Sequence, residues 1–211
     1  VLNLPNLLTL SRIMIIPLVV AAFFFDSTAM RWTACALFAA AGITDFFDGY
    51  IARRANMVSR VGRFLDPIAD KLLVASVLLM LVAFHRVGPV SYLPALVILL
   101  REIMVSGLRE FLAELRVSVP VTKLAKAKTT VQMLALGFLI VGDFAPAWIP
   151  AQIIGEIGLW FAALITLITG YDYLRAGLRH MLVNDPLPEP PRDATSPPHG
   201  VTDAVHSSAK P

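Results

Sequence analysis

Four aspartates, Asp45, Asp48, Asp66 and Asp70, stand between strongly apolar segments in the stretch DFFDGYIARRANMVSRVGRFLDPIAD. Asp45 and Asp48 are spaced i,i+3, and Asp66 and Asp70 i,i+4, so on helices each pair lies on one face. Carboxylates gathered at a membrane edge repel one another, and a charge at or near hydrocarbon is costly unless it is partnered. A divalent cation relieves both problems. Mg2+ and Mn2+ prefer hard oxygen ligands, and four carboxylates are enough for two such ions. Two metals can grip both the bridging and the leaving oxygens of a phosphoryl group, so a box of this kind points to phosphate or pyrophosphate chemistry. One of the carboxylates, next to an incoming hydroxyl, can serve as general base.

The residues between the aspartates extend this reading. Gly49 and Gly62 carry no side chain and so leave the backbone open to a ligand. Arg53, about a turn and a half beyond Asp48, offers a fixed fork of donors suited to a diphosphate. Each has a plainer alternative: glycines pack helices closely, and an arginine here can be a membrane-edge charge, which fits Arg54 better than Arg53. Asp66 before Pro67 is likewise a common N-cap and first-turn pair.

The elements that must carry these residues follow from composition. The 211 residues are 57% hydrophobic and 16% charged, with mean hydropathy +0.71, too apolar for an ordinary soluble domain. Apolar runs fall at about 6–25, 30–50, 67–84, 91–112, 129–142 and 148–174, each near the roughly 20 residues a membrane helix needs. The expected architecture is an all-α integral membrane protein, a bundle of six transmembrane helices with a polar active site facing the cytoplasm. Helix two is expected to run through Asp45 and Asp48 and end near Arg54. The fifth run reaches membrane length only if it continues back through Lys123–Thr130. Asn6 is a plausible cap for the first helix, and Pro17 would kink or loosen it.

Lysine and arginine crowd one side of this bundle, leaving only Arg31 and Arg86 in the opposite turns. By the positive-inside rule both termini and the aspartates are cytoplasmic. A pI near 9.2 fits a surface facing anionic lipid headgroups rather than nucleic acid. Cys35 is the single cysteine, so neither an intrachain disulfide nor a cysteine metal site is available. Residues 1–185 read as one membrane domain. Residues 186–211, rich in proline and poor in large apolar side chains, read as a disordered cytoplasmic tail.

Inside the later helices the polar residues are few. Arg101 falls near mid-membrane in the fourth run, and Arg109 follows two turns later. A lone arginine there needs an anionic partner, and Glu102 and Glu110 are the obvious structural ones. Lys126 and Lys128 point to nearly opposite sides of a helix, so only one readily faces the aspartates. A basic pocket of Arg101, Arg109 and Lys126 suits an acceptor that carries its own phosphate. A different class of protein, a cation transporter using the aspartates for coupling, is disfavoured by their placement at one face.

The pattern D-x-x-D-G-x-x-A-R-x(8)-G-x-x-x-D-x-x-x-D, filled here by Asp45, Asp48, Gly49, Ala52, Arg53, Gly62, Asp66 and Asp70, resembles the signature of the CDP-alcohol phosphotransferases. The resemblance implies transfer of a phosphatidyl group from CDP-diacylglycerol to an alcohol with release of CMP. It implies that Asp45, Asp48 and Asp66 bind metals and that Asp70 is the base. Gly49, Arg53 and Gly62 would line the CDP site, with Thr44 near the nucleotide. NLPNLLTLSR, REIMVSGLRE and KAKTT also look like a bacterial branch of that family whose acceptor is glycerol 3-phosphate, with Arg101, Arg109 and Lys126 at its basic positions. Acceptors such as phosphatidylglycerol, as in a cardiolipin synthase, or an inositol phosphate carry phosphate too. The resemblance further implies a homodimer in the cytoplasmic (inner) membrane, in contact with membrane lipids.

Overall fold

The computed structural model describes residues 4–55, 60–114 and 123–183. They form α1 (Leu4–Phe23), α2 (Thr28–Ala55), α3 (Arg60–Ala83), α4 (Tyr92–Glu114), α5 (Lys123–Val141) and α6 (Ala151–Val183). Short 3-10 turns at Pro89–Ser91 and Gly142–Phe144 precede α4 and follow α5, and there is no strand among the described residues. Helix α5 does continue back to Lys123, and α2 ends at Ala55.

One expectation about a helix start, Asn6 as a cap, is corrected, and the plainer alternative for Asp66 and Pro67 is removed. Helix α3 begins at Arg60, so Asp66 and Pro67 lie inside it rather than at its cap and first turn. The Pro67 ring withholds one i to i−4 bond, a cost a helix tolerates when the turns on either side are held by packing. Helix α1 begins at Leu4, which puts Asn6 within it and Pro5 in its first turn, where a missing N–H costs nothing. That helix runs through Pro17 without interruption. The tail from residue 184 onward lies outside the described residues.

Three helical stretches, Pro89–Ala113, Ala127–Phe144 and Ala151–Arg175, are long and apolar enough to cross a bilayer, and Thr9–Phe23 is a shorter apolar one. Outward-facing Leu96, Leu100, Ile103, Ile157, Phe161, Leu164 and Ile168 are exposed. A surface as apolar as the interior is what a helix meeting lipid requires, and this is a membrane protein.

The helices pack in the ring order α1, α2, α5, α6, α4, α3, with α3 closing back onto α1 and also touching α5. Phe23, Phe38, Leu73, Val77, Leu81, Ile98, Leu136, Ile140 and Leu159 make the buried core between them. Small residues let α6 approach its neighbours. A Cβ on Gly155 would lie 2.6 Å from Leu139 Cγ and 3.1 Å from the Ala135 carbonyl oxygen, and one on Gly158 2.9 Å from Ala135 Cβ. Lacking a hydrophobic drive in lipid, membrane helices gain most of their association from such close packing.

The end of the ring that holds the α1–α2, α3–α4 and α5–α6 connections is tied by side chains. Arg31 donates to Asp26 Oδ1 from Nη2 (2.8 Å) and Nε (3.2 Å) and lies 4.4 Å over the Phe144 ring. Arg86 lies 4.4 Å over Phe23 and donates to the Phe23 carbonyl at 3.3 Å. Glu156 accepts from the Gly88 N–H, the Ser91 hydroxyl and Gln152 Nε2 at 2.9–3.0 Å. His85 takes the left-handed conformation (φ 51) that ends α3 and lets the Arg86 N–H reach back to Leu81 O. Hydrogen bonding to Arg31 holds the Asp26 carboxyl below its ordinary value.

Candidate active site

Backbone placement puts Asp45 and Asp48 in the second half of α2, and Asp66 and Asp70 in the first half of α3. Both pairs keep the one-face spacing read from the sequence because both segments are helical throughout. The side chains of Asp45, Asp48, Gly49, Arg53, Gly62, Asp66 and Lys126 lie outside the described residues. Asp70 is described, and its side chain is 37% exposed.

Beside Asp70 the structure assembles an ion cluster from three helices. Lys71 Nζ lies 3.5 Å from Asp70 Oδ2 and 2.9 Å from Oε2 of Glu102. The other oxygen of Glu102 accepts from Lys128 Nζ of α5, and Arg101 Nη1 stands 3.6 Å from that same oxygen. One carboxylate therefore serves three cations. Arg101, Glu102 and Lys128 are all buried, where an uncompensated charge would cost several kcal/mol.

Arg101 is only partly consumed by these contacts. Its Nη2 donates to the Thr169 hydroxyl of α6 at 2.9 Å, and that hydroxyl donates on to the Ile165 carbonyl. The Tyr173 ring lies 6.0 Å from the guanidinium. Its Nε is buried with no hydrogen-bond partner. Gly170 makes room for the stem, since a Cβ there would come within 3.1 Å of Arg101 Cγ. Helix α6 thus fixes the guanidinium and leaves a donor to spare.

The structural alternative for Arg101, pairing with Glu102, holds in part. Glu102 is adjacent, yet its closest partners are Lys128 and Lys71 rather than Arg101. Glu110 and Arg109 are exposed on α4. Of the two lysines on opposite sides of α5, Lys128 is described, and it is buried. Thr44 spends its hydroxyl proton on its own helix, donating to the Ala40 and Ala41 carbonyls at 3.0 and 2.9 Å. Sequence reading passed over Lys71 and Thr169 as site residues and took Glu102 only as a counter-ion. The available signals were the Lys directly after Asp70 and a Glu beside a mid-membrane Arg.

A groove of about 700 Å3 runs between α2 and α5, lined by Trp32, Cys35, Phe38, Met133, Gly137 and Phe138. It extends to Ile43 and Thr129, beside the start of the aspartate pair on α2. Its walls are almost wholly apolar, so it can take hydrocarbon along the membrane up to the polar site.

Comparison with known proteins adds names to this geometry. Residues 2–168 match the family model described as CDP-alcohol phosphatidyltransferase. The chain is 52% identical over 174 residues to the CDP-diacylglycerol–glycerol-3-phosphate 3-phosphatidyltransferase of Rickettsia felis, covering 82% of this chain and 94% of that one. Proteins of the same name from Pectobacterium atrosepticum and Shigella flexneri are 40% and 41% identical over 186 and 185 residues. These alignments cover 86% and 85% of this chain, and 97% of each relative.

Proposed function

We propose, because this chain belongs to the CDP-alcohol phosphatidyltransferase family, that it has the activity its relatives are named for and acts as a phosphatidylglycerophosphate synthase. It transfers the phosphatidyl group of CDP-diacylglycerol to glycerol 3-phosphate and releases CMP. The observation that carries the choice of acceptor is the buried cation cluster beside Asp70. Among the described residues there, Lys71, Arg101 and Lys128 outnumber Glu102 and Asp70, and Arg101 keeps an unpartnered Nε. A neutral or cationic alcohol would leave that surplus uncompensated, whereas a phosphorylated one offsets it.

In this reading Asp70 takes the proton of the 1-hydroxyl of glycerol 3-phosphate. The hydroxyl oxygen forms the new bond to the lipid-linked phosphorus, and the bond from that phosphorus to the CMP oxygen breaks. Arg101, Arg109 and Lys126 hold the acceptor phosphate, and Arg53 the diphosphate, with Gly49, Gly62 and Thr44 lining the CDP site. Their contribution is orientation and electrostatics. Asp45, Asp48, Asp66 and Asp70 form an all-oxygen donor set on two helices that touch, which suits two Mg2+ or Mn2+ ions. Bound there, the metals would offset the charge of the diphosphate. The acyl chains lie in the groove between α2 and α5.

The membrane arrangement belongs to the same proposal. All six helices span the inner membrane, the aspartates face the cytoplasm, residues 186–211 form a disordered cytoplasmic tail, and the enzyme works as a homodimer among membrane lipids. The deciding experiment offers purified full-length protein CDP-diacylglycerol and Mg2+ with a panel of acceptors and measures CMP. Glycerol 3-phosphate is expected to release it fastest. Faster release with phosphatidylglycerol or an inositol phosphate would reassign the acceptor, and cation flux into liposomes without nucleotide would remove the enzyme reading.

A further inference from the structure

We propose that Glu102 is a positioning residue whose task is to keep the Lys71 ammonium from closing over Asp70. The inference rests on the reading of the aspartates as a cation site. Lys71 directly follows Asp70, and its Nζ is shared unequally, 2.9 Å from Glu102 and 3.5 Å from Asp70. Glu102 comes from α4 and is held from its far side by Lys128 of α5 and by Arg101. Its Oε1 is thereby occupied and its Oε2 is left to Lys71. Without that carboxylate the nearest anionic partner for Lys71 among the described residues is Asp70, and an ammonium bound there competes with a divalent ion for the same oxygens. Three helices are committed to the arrangement, more than a lysine on a flexible stem needs merely to be neutralised.

The test is Mn2+ binding to the full-length protein in detergent, read by the loss of the free-ion signal in electron paramagnetic resonance, before any substrate is added. Glu102→Gln is expected to raise the Kd for Mn2+ about tenfold, the scale of one close charge pair. Adding Lys71→Met to that variant is expected to restore binding to within about threefold of wild type, because no competing ammonium remains. Lys71→Met alone leaves Glu102 paired with Lys128 and Arg101, and is expected to bind Mn2+ at least as tightly as wild type. It decides the matter if Glu102→Gln, which strands Lys128, fails to fold. Wild-type affinity in Glu102→Gln, no recovery in the double variant, or weaker binding in Lys71→Met overturns the proposal. A wild-type protein that binds no Mn2+ overturns it together with the cation-site reading. Mn2+ binding in the expected pattern, without CMP release to glycerol 3-phosphate, refutes the proposed acceptor alone.

Discussion

At the connection end of the helix ring, Arg31 and Arg86 stack on Phe144 and Phe23 while Asp26 and Glu156 accept from Arg31 and from neutral donors. At the aspartate end, Lys71, Arg101 and Lys128 converge on Glu102 with Asp70 half open beside them. At the first end Arg31 pairs with Asp26, both arginines lie over rings, and Glu156 is satisfied by neutral donors. At the second, the three cations of the cluster exceed its two carboxylates among the described residues; a buried guanidinium nitrogen without a partner occurs at both ends, on Arg86 and on Arg101. A fold has no structural reason to bury a surplus of one sign, since breaking even costs desolvation that apolar packing would avoid. The first end fastens the connections, and the second is built for something that arrives with charge.

The comparison breaks most visibly at Asp70. Asp70→Asn is expected to lower CMP release by about 10²–10⁴-fold, the range of a general base, with an unchanged melting temperature; CMP release at the wild-type rate would refute the base assignment. Arg101→Met should raise KM for glycerol 3-phosphate by about 10- to 100-fold, the loss of a hydrogen bond to a charged group. KM for CDP-diacylglycerol should stay the same, and a loss shared by both substrates would mean that Arg101 serves the fold instead.

The opposite end should respond in stability alone. Glu156→Ala strands the donors of Gly88, Ser91 and Gln152 and is expected to cost about 1–3 kcal/mol in denaturation, with kcat per folded molecule unchanged. The smallest effect is expected at Asp26. Its carboxyl is held below its ordinary value by Arg31, so its contribution is present above the unfolded value and disappears as pH falls through the folded one. Melting temperature followed from pH 6 to pH 3 should therefore drop slightly less in Asp26→Asn than in wild type, and identical slopes would show that the exposed pair contributes nothing.

Much of the fold was legible because membrane helices announce themselves by length. Six apolar runs became six helices among the described residues, three of them with stretches long and apolar enough to cross a bilayer, and α5 extends back to Lys123. Helix starts were less legible. Asp66-Pro67 carries the local chemistry of a beginning, yet α3 starts at Arg60, because a cap is a local preference that packing of the preceding turn can override. In the site, the aspartate spacing could be read directly. The partition of the cations could not, since Arg101, Lys71 and Lys128 have similar chemistry and only their distances to Glu102 and Thr169 separate the consumed from the spare.

The sequence by itself determined the helices, the one-face spacing of the aspartate pairs and the family, all of which depend on residues near one another along the chain. Tertiary structure decided that Glu102 of α4 would meet Lys71 of α3 and Lys128 of α5, that Thr169 of α6 would hold Arg101, and that Arg31 and Arg86 would lie on aromatic rings. Those contacts join residues on different helices or in different connections, far apart in sequence, and the order of the helices around the ring follows from which faces pack most closely. No spacing within a single helix encodes that order.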